Sequence, residues 1–104
     1  MRYPFISLIL LLAFAGTSCK QRDLRGWWEP SKDGKTYFVL EDPDGKNCPP
    51  IFIDGQRWES AIGTKTEIPN GAHSITCGIG ADINQGVGFE VRSGTIYHFD
   101  YWGP

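Results

Sequence analysis

Hydrophobic and polar residues alternate over short segments of this chain, and glycine or proline stands between the segments. Alternation with a period of two is typical of β-strands that bury one face. Helix-forming residues are sparse after residue 20. The pattern predicts strands over residues 35–41, 51–53, 56–62, 65–68, 72–78, 87–92 and 95–101. We therefore expect an all-β domain, a small antiparallel β-sandwich of about six to seven strands, over residues 35–104.

Three short turn sequences are expected to join these strands. Asp54-Gly55 has the residue types of a two-residue hairpin turn. Pro69-Asn70-Gly71 is expected to pair the two strands that flank it, and Ser93-Gly94 to join the last two strands into a hairpin.

The first 18 residues have the pattern of a secretory signal. Arg2 supplies a positive charge, and residues 5–15 form an apolar run. That run is too short to span a bilayer core as a helix, which needs about 20 residues. Residues 1–18 are therefore predicted to be a signal peptide.

A cysteine follows the apolar run directly. Gly16, Thr17 and Ser18 are small, and Cys19 comes next. This arrangement resembles a bacterial lipoprotein signal, in which the cysteine is lipidated and becomes the new N-terminus. The resemblance implies a lipid anchor at Cys19, and Lys20 after it implies sorting to the outer membrane. The alternative is cleavage after Ala15, which would release a soluble periplasmic protein.

The number of cysteines favours lipidation. The chain has three, and lipidation of Cys19 leaves an even pair in an oxidising compartment. Cys48 and Cys77 are expected to form a disulfide, which stabilises a small domain by closing a loop of about 30 residues. Residues 19–34 are polar and interrupted by glycine and proline, so they are expected to form a tether.

One segment resembles a known family. Residues 51–55 (IFIDG), a strand, and then Pro69-Asn70-Gly71-Ala72 are similar to the PEGA domain, named for its Pro-Glu-Gly-Ala motif. The resemblance covers about residues 50–100. It implies a small β-sandwich of envelope proteins that mediates contacts rather than catalysis.

Exposed aromatic residues and loops are the binding candidates. Trp27 and Trp28 are adjacent, so on an extended segment they point to opposite faces and at most one is expected in the core. Trp102 and the loop of residues 78–86 complete the candidates, since recognition falls to loops and aromatic side chains on a rigid scaffold.

The sequence predicts no catalytic or metal chemistry and no cofactor. His98 and Asp100 are expected on one face of the last strand, but no nucleophile accompanies them. Asp82 and Asn84 have the spacing of a calcium loop, yet Ser93 stands where the bidentate glutamate would be. A formal charge of −2 is too weak to attract nucleic acid.

These observations favour a non-enzymatic lipoprotein of the cell envelope that binds a protein or a glycan. The alternative is a small periplasmic inhibitor or binder of an extracytoplasmic enzyme. Both need a compact β-domain and differ in the partner, which one sequence does not name.

Replacing Cys19 with serine tests the anchor. The wild type should fractionate with membranes and C19S should be soluble in the periplasm, because the variant lacks the sulfur that carries the lipid. Fractionation and mass spectrometry of the mature N-terminus measure this. A soluble wild type that begins at Gly16 would contradict lipidation.

Overall fold

The computed structural model describes residues 20–78 and 86–103. Within these residues the chain forms nine β-strands. They are β1 (Gln21–Arg22), β2 (Gly26–Pro30), β3 (Tyr37–Leu40), β4 (Ile51–Ile53), β5 (Gln56–Arg57), β6 (Thr66–Glu67), β7 (Gly71–Cys77), β8 (Val87–Val91) and β9 (Thr95–Phe99). The described ranges contain no helix long and apolar enough to cross a membrane.

The strands form two sheets that enclose one core. The larger sheet has the order β1-β2-β9-β3-β6, and the smaller has the order β5-β4-β7-β8. The predicted all-β, disulfide-containing sandwich is thus confirmed. The two strands beyond the seven expected are β1 and β2, which lie in the segment predicted to be a tether.

Strand β9 lies in the middle of the larger sheet. It pairs antiparallel with β2 and parallel with β3. The sandwich was expected to be antiparallel, and the β3–β9 pair departs from this because it is parallel. Parallel neighbours require a long connection, and the chain between β3 and β9 supplies it by forming the smaller sheet.

The turn at Asp54-Gly55 forms the predicted hairpin. Ile53 pairs with Gln56 across it, and Asp54 and Gly55 both have positive φ, as a type I′ turn requires. The strand predicted over residues 56–62 ends at Arg57.

The other two predicted hairpins are wrong. β6 belongs to the larger sheet and β7 to the smaller, so Pro69-Asn70 carries the chain between sheets. β8 and β9 are likewise in different sheets, although Thr95 N–H reaches Arg92 O at 3.3 Å across the turn. Phe89 and Tyr97 stack through the core with centroids 5.6 Å apart. Alternation predicts only that each strand has one apolar face. Two consecutive strands have the same pattern whether they pair in one sheet or face each other from two sheets.

The N-terminal segment is part of the sandwich. The predicted tether over residues 19–34 does not describe residues 21–30, which form β1 and β2. Oδ1 of Asp23 accepts hydrogen bonds from Arg25 N–H, Gly26 N–H and the Tyr97 hydroxyl at 2.9–3.0 Å. Burial, and then this bond to Asp23, raise the pKa of Tyr97 well above its ordinary value. Tyr97 therefore remains a neutral donor that joins the β1–β2 turn to the core.

Aromatic rings fill the centre of the sandwich. Phe38, Tyr97 and Phe99 from the larger sheet are fully buried. Phe38 meets Phe89 of the smaller sheet with centroids 5.0 Å apart. The other members of this core are aliphatic or aromatic residues of the two sheets and of the segment after β6: Trp28, Leu40, Ile51, Ile53, Ile68, Ile75 and Val91.

The predicted disulfide joins Cys48 to Cys77, with their Cα atoms 5.2 Å apart. Cys77 ends β7 opposite Ile51, the first residue of β4. The bridge therefore reinforces the β4–β7 pair. Closing a loop of 29 residues is worth roughly 3.5 kcal/mol in the chain-entropy model.

Gly26 is required by the close approach of β2 to β9. A Cβ added there would lie 1.9 Å from the carbonyl oxygen of His98. Gly26→Ala should lower the free energy of unfolding by roughly 3 kcal/mol, because the backbone of a central strand must move. Urea denaturation measures the change.

Gly88→Ala is the matched control. Its added Cβ meets nothing nearer than His73 O at 3.9 Å, and Gly88 has no positive φ. Its stability should change by no more than about 0.5 kcal/mol. Equal losses in the two variants would contradict the steric explanation.

Candidate functional site

Trp27 lies on the face of the larger sheet that points away from the core. It stacks on His98 of the adjacent strand, with ring centroids 3.8 Å apart and planes within 3°. Lys20 Nζ lies 4.6 Å from the same indole. Because the imidazole occupies one face of the ring, the ammonium group lies over the other.

His98 ties together the strands on both sides of it. Its Nε2 lies 2.7 Å from Glu29 of β2, and its Nδ1 lies 2.7 Å from Glu41, the residue after β3. Both ring nitrogens are thus hydrogen-bonded, each to the carboxylate of a different glutamate. His98 was predicted to share a face of the last strand with Asp100. Its strand is central, and its two nitrogens bind glutamates rather than Asp100.

Asp100 is instead paired with Arg22. The guanidinium donates to both carboxylate oxygens at 2.8 and 2.9 Å. This hydrogen-bonded pairing raises the pKa of Arg22. The bidentate geometry fixes the direction of the carboxylate more firmly than a single bond would.

Trp102 anchors the segment after β9. Its indole N–H donates to Asn47 Oδ1 at 2.6 Å, and the ring packs edge-to-face on Phe99 with centroids 5.0 Å apart. Asn47 in turn donates to Glu41 O at 3.1 Å. The last strand was predicted to run to residue 101. The strand ends at Phe99, so the alternation no longer applies, and Tyr101 is the exposed residue.

A cleft lies beyond the end of β3, next to the side chains described above. One hollow of 340 Å³ lies between the β3–β4 loop and the segment containing Trp102. An adjoining hollow is lined by Trp27. The two share Glu41, Asp42, Pro43 and Asp100. We call them together the Trp27–Trp102 cleft, and it unites two of the three predicted binding tryptophans.

Trp28 is a core residue and not part of this cleft. It is 6% exposed, and its indole N–H donates to Glu90 O of the smaller sheet at 3.1 Å. The Arg92 guanidinium lies 3.9 Å from its ring centroid. The expectation that at most one tryptophan of the pair lies in the core is confirmed, and Trp28 is withdrawn as a binding candidate.

Two other predicted sites lie outside the described residues. They are Cys19, the expected lipidation site, and residues 79–85 of the loop predicted to bind a partner. Among the residues that are described, no group of three His, Cys, Asp or Glu side chains could hold a metal ion.

Sequence reasoning missed a second cleft, of 400 Å³, beside Trp58. It lies near the start of β3, since Glu67 in its wall pairs with Tyr37. Trp58 was assigned to a strand that ends one residue before it. The signal that could have revealed it was a tryptophan following two polar residues directly after a hairpin turn.

A hydrogen-bonded pair, Asp54 and His73, lines this second cleft. His73 Nδ1 lies 2.6 Å from Asp54 Oδ2, and His73 Nε2 lies 2.7 Å from Pro69 O. The Ser74 N–H donates to Asp54 Oδ1 at 2.9 Å. Partial burial alone would raise the pKa of Asp54, but the His73 side chain and the Ser74 N–H stabilise the carboxylate and hold its pKa below the usual value.

No family model matches this chain, and no curated protein or solved structure matches it either. The resemblance to the PEGA domain therefore stays a prediction.

The lowered pKa of Asp54 predicts acid sensitivity. The folded state binds its proton at lower pH than the unfolded state, so this stabilisation is complete above the unfolded pKa and is lost as pH falls through the folded pKa. Asp54→Asn should be less stable than wild type at neutral pH, and the difference should shrink on acidification. Melting temperatures across pH 2–7 measure it, with the range set by the ordinary pKa of about 4.

Asparagine also tolerates the positive φ of residue 54, so the substitution changes charge without straining the turn. Parallel pH curves for the two proteins would contradict the prediction.

Proposed function

We propose that this protein is a non-catalytic binding module of the bacterial cell envelope, held at the outer membrane by a lipid on Cys19. In this proposal it recognises an envelope protein or glycan through the Trp27–Trp102 cleft. The PEGA-like arrangement of residues 50–100 is part of the same proposal, as a domain that mediates contacts.

The observation that carries this proposal is that Trp27 and Trp102, which are far apart in the sequence, line two adjoining hollows. Aromatic side chains at the rim of a concave surface are the residues that contribute most when a partner removes them from water. Packing on Phe99 partly explains the position of Trp102, but Trp27 points away from the core and has no such structural explanation.

The cleft is also rigid, which favours binding. Trp102 is held by Asn47, Trp27 by its stack on His98, and Asp100 by Arg22. Side chains fixed before binding lose less conformational entropy when a partner arrives.

Two of the four carboxylates that line the cleft are engaged in ion-pair geometry. Glu41 is bound to His98 and Asp100 to Arg22, whereas Asp42 and Asp44 line the cleft as well. The two paired groups hold the walls of the cleft in place, which favours binding over catalysis in this proposal.

Tryptophan substitutions test the proposal. Trp27→Ala should weaken capture of the partner from detergent-solubilised envelope by about 30-fold, the equivalent of 2 kcal/mol, with little change in melting temperature. Trp102→Ala should lower both quantities, because the indole also packs on Phe99.

Trp28→Phe is the matched control, an adjacent tryptophan that faces the core. It should lower the melting temperature and leave capture unchanged in the folded fraction. If neither Trp27→Ala nor Trp102→Ala weakens capture, the cleft is not the recognition site. Capture of an extracytoplasmic enzyme that the protein inhibits would favour the alternative of a periplasmic inhibitor.

A further inference from the structure

The Trp58 cleft has the features of a second binding site. It lies at the opposite end of β3 from the Trp27–Trp102 cleft, since its wall includes Glu67, paired with the first residue of β3, whereas Glu41 follows the last. Its volume of 400 Å³ is within the range of small-molecule pockets, roughly 300–1,000 Å³. The two sites share no lining residue.

An aromatic ring forms part of this cleft. Trp58 is half-buried and packs against the core cluster. Its ring meets Phe38 edge-to-face, with centroids 5.4 Å apart and planes at 85°. Trp58 is not fully buried and is among the residues that line the cleft, so part of its indole borders the space that a ligand would occupy.

A preorganised hydrogen-bond acceptor stands on the rim. The Asp54 side chain is half exposed, yet it is fixed by His73, whose side chain is 8% exposed and is itself held by Pro69 O. The Ser74 N–H fixes the second carboxylate oxygen. A carboxylate oxygen accepts more than one hydrogen bond, so Asp54 keeps free acceptor positions toward solvent.

The remaining polar residues carry charges of both signs. Arg57 lines the cleft together with Glu67 and Asp54, and Gln56 offers both a donor and an acceptor. A ligand with a formal charge of either sign would meet a like charge in the same cleft. A ligand with several hydroxyl groups would satisfy donors and acceptors alike.

A flat apolar surface surrounded by mixed donors and acceptors matches the chemistry of a sugar ring. A pyranose has a face of C–H groups that can lie on an indole, and a rim of hydroxyl groups. We propose that the Trp58 cleft binds a neutral pyranose residue of a glycan. This site does not depend on the Trp27–Trp102 cleft, so either proposal can fail alone.

Titration of the folded protein with neutral trisaccharides tests this proposal. The probes are triacetylchitotriose, cellotriose and maltotriose, and the readout is the amide and indole NMR spectrum with assigned resonances. At least one probe should give saturable shifts at the Trp58 indole and around Gln56 and Arg57. No saturable shift there with any of the three would overturn the proposal.

Substitutions then locate the site. Trp58→Ala should weaken binding at least tenfold. Because Trp58 also packs on the core, Gln56→Ala and Arg57→Gln serve as variants of exposed residues, and each should weaken binding several-fold with an unchanged melting temperature. Unchanged affinity in both exposed variants would overturn the assignment.

Two controls separate the possible outcomes. Trp27→Ala should leave trisaccharide binding unchanged, and if it abolishes binding while Trp58→Ala does not, the sugar occupies the other cleft and this proposal fails. Deacetylated chitotriose has the same backbone with positive charges. It should bind more weakly than the acetylated form, and stronger binding would contradict a neutral ligand.

Discussion

The structure depends on the insertion of β9 between β2 and β3. β8 and β9 belong to different sheets and do not pair with each other. β9 instead supplies the hydrogen bonds that join the two halves of the larger sheet. His98 on this strand repeats the connection with its side chain, which binds Glu29 on one side and Glu41 on the other. The Trp27–Trp102 cleft is built on this junction, and its shape follows from the pairing of β9.

The two clefts owe their positions to strand ends. β3 spans four residues, about 13 Å, and one cleft lies beyond each end of it. Its side chains are buried on both faces of the sheet, with Phe38 and Leu40 in the core and Val39 covered on the other side. Trp58, after β5, and Trp102, after β9, lie where pairing stops and each line a cleft, whereas Trp27 lines its cleft from within β2 on the outer face of the sheet.

The sequence predicted what is local and missed what is not. Asp54-Gly55 formed its hairpin because two residues determine that turn. Ser93-Gly94 did not, since alternation on both sides of a turn is the same whether the strands pair or face one another across a core. β2 was missed because Gly26 and Pro30 are typical of loops, and only the close approach of His98 O explains the glycine. The Trp27–Trp102 cleft could not be predicted, because the two tryptophans come close only when β9 pairs between β2 and β3.

The early start of β1 limits how far the domain could extend from a membrane. A single residue, Lys20, separates Cys19 from Gln21, and an extended chain covers at most about 3.6 Å per residue. If Cys19 carries the lipid, β1 lies within about 7 Å of it, a distance comparable with the depth of the headgroup layer. The domain would then rest on the bilayer surface with no stalk, and any partner or glycan that it binds must itself come to that surface.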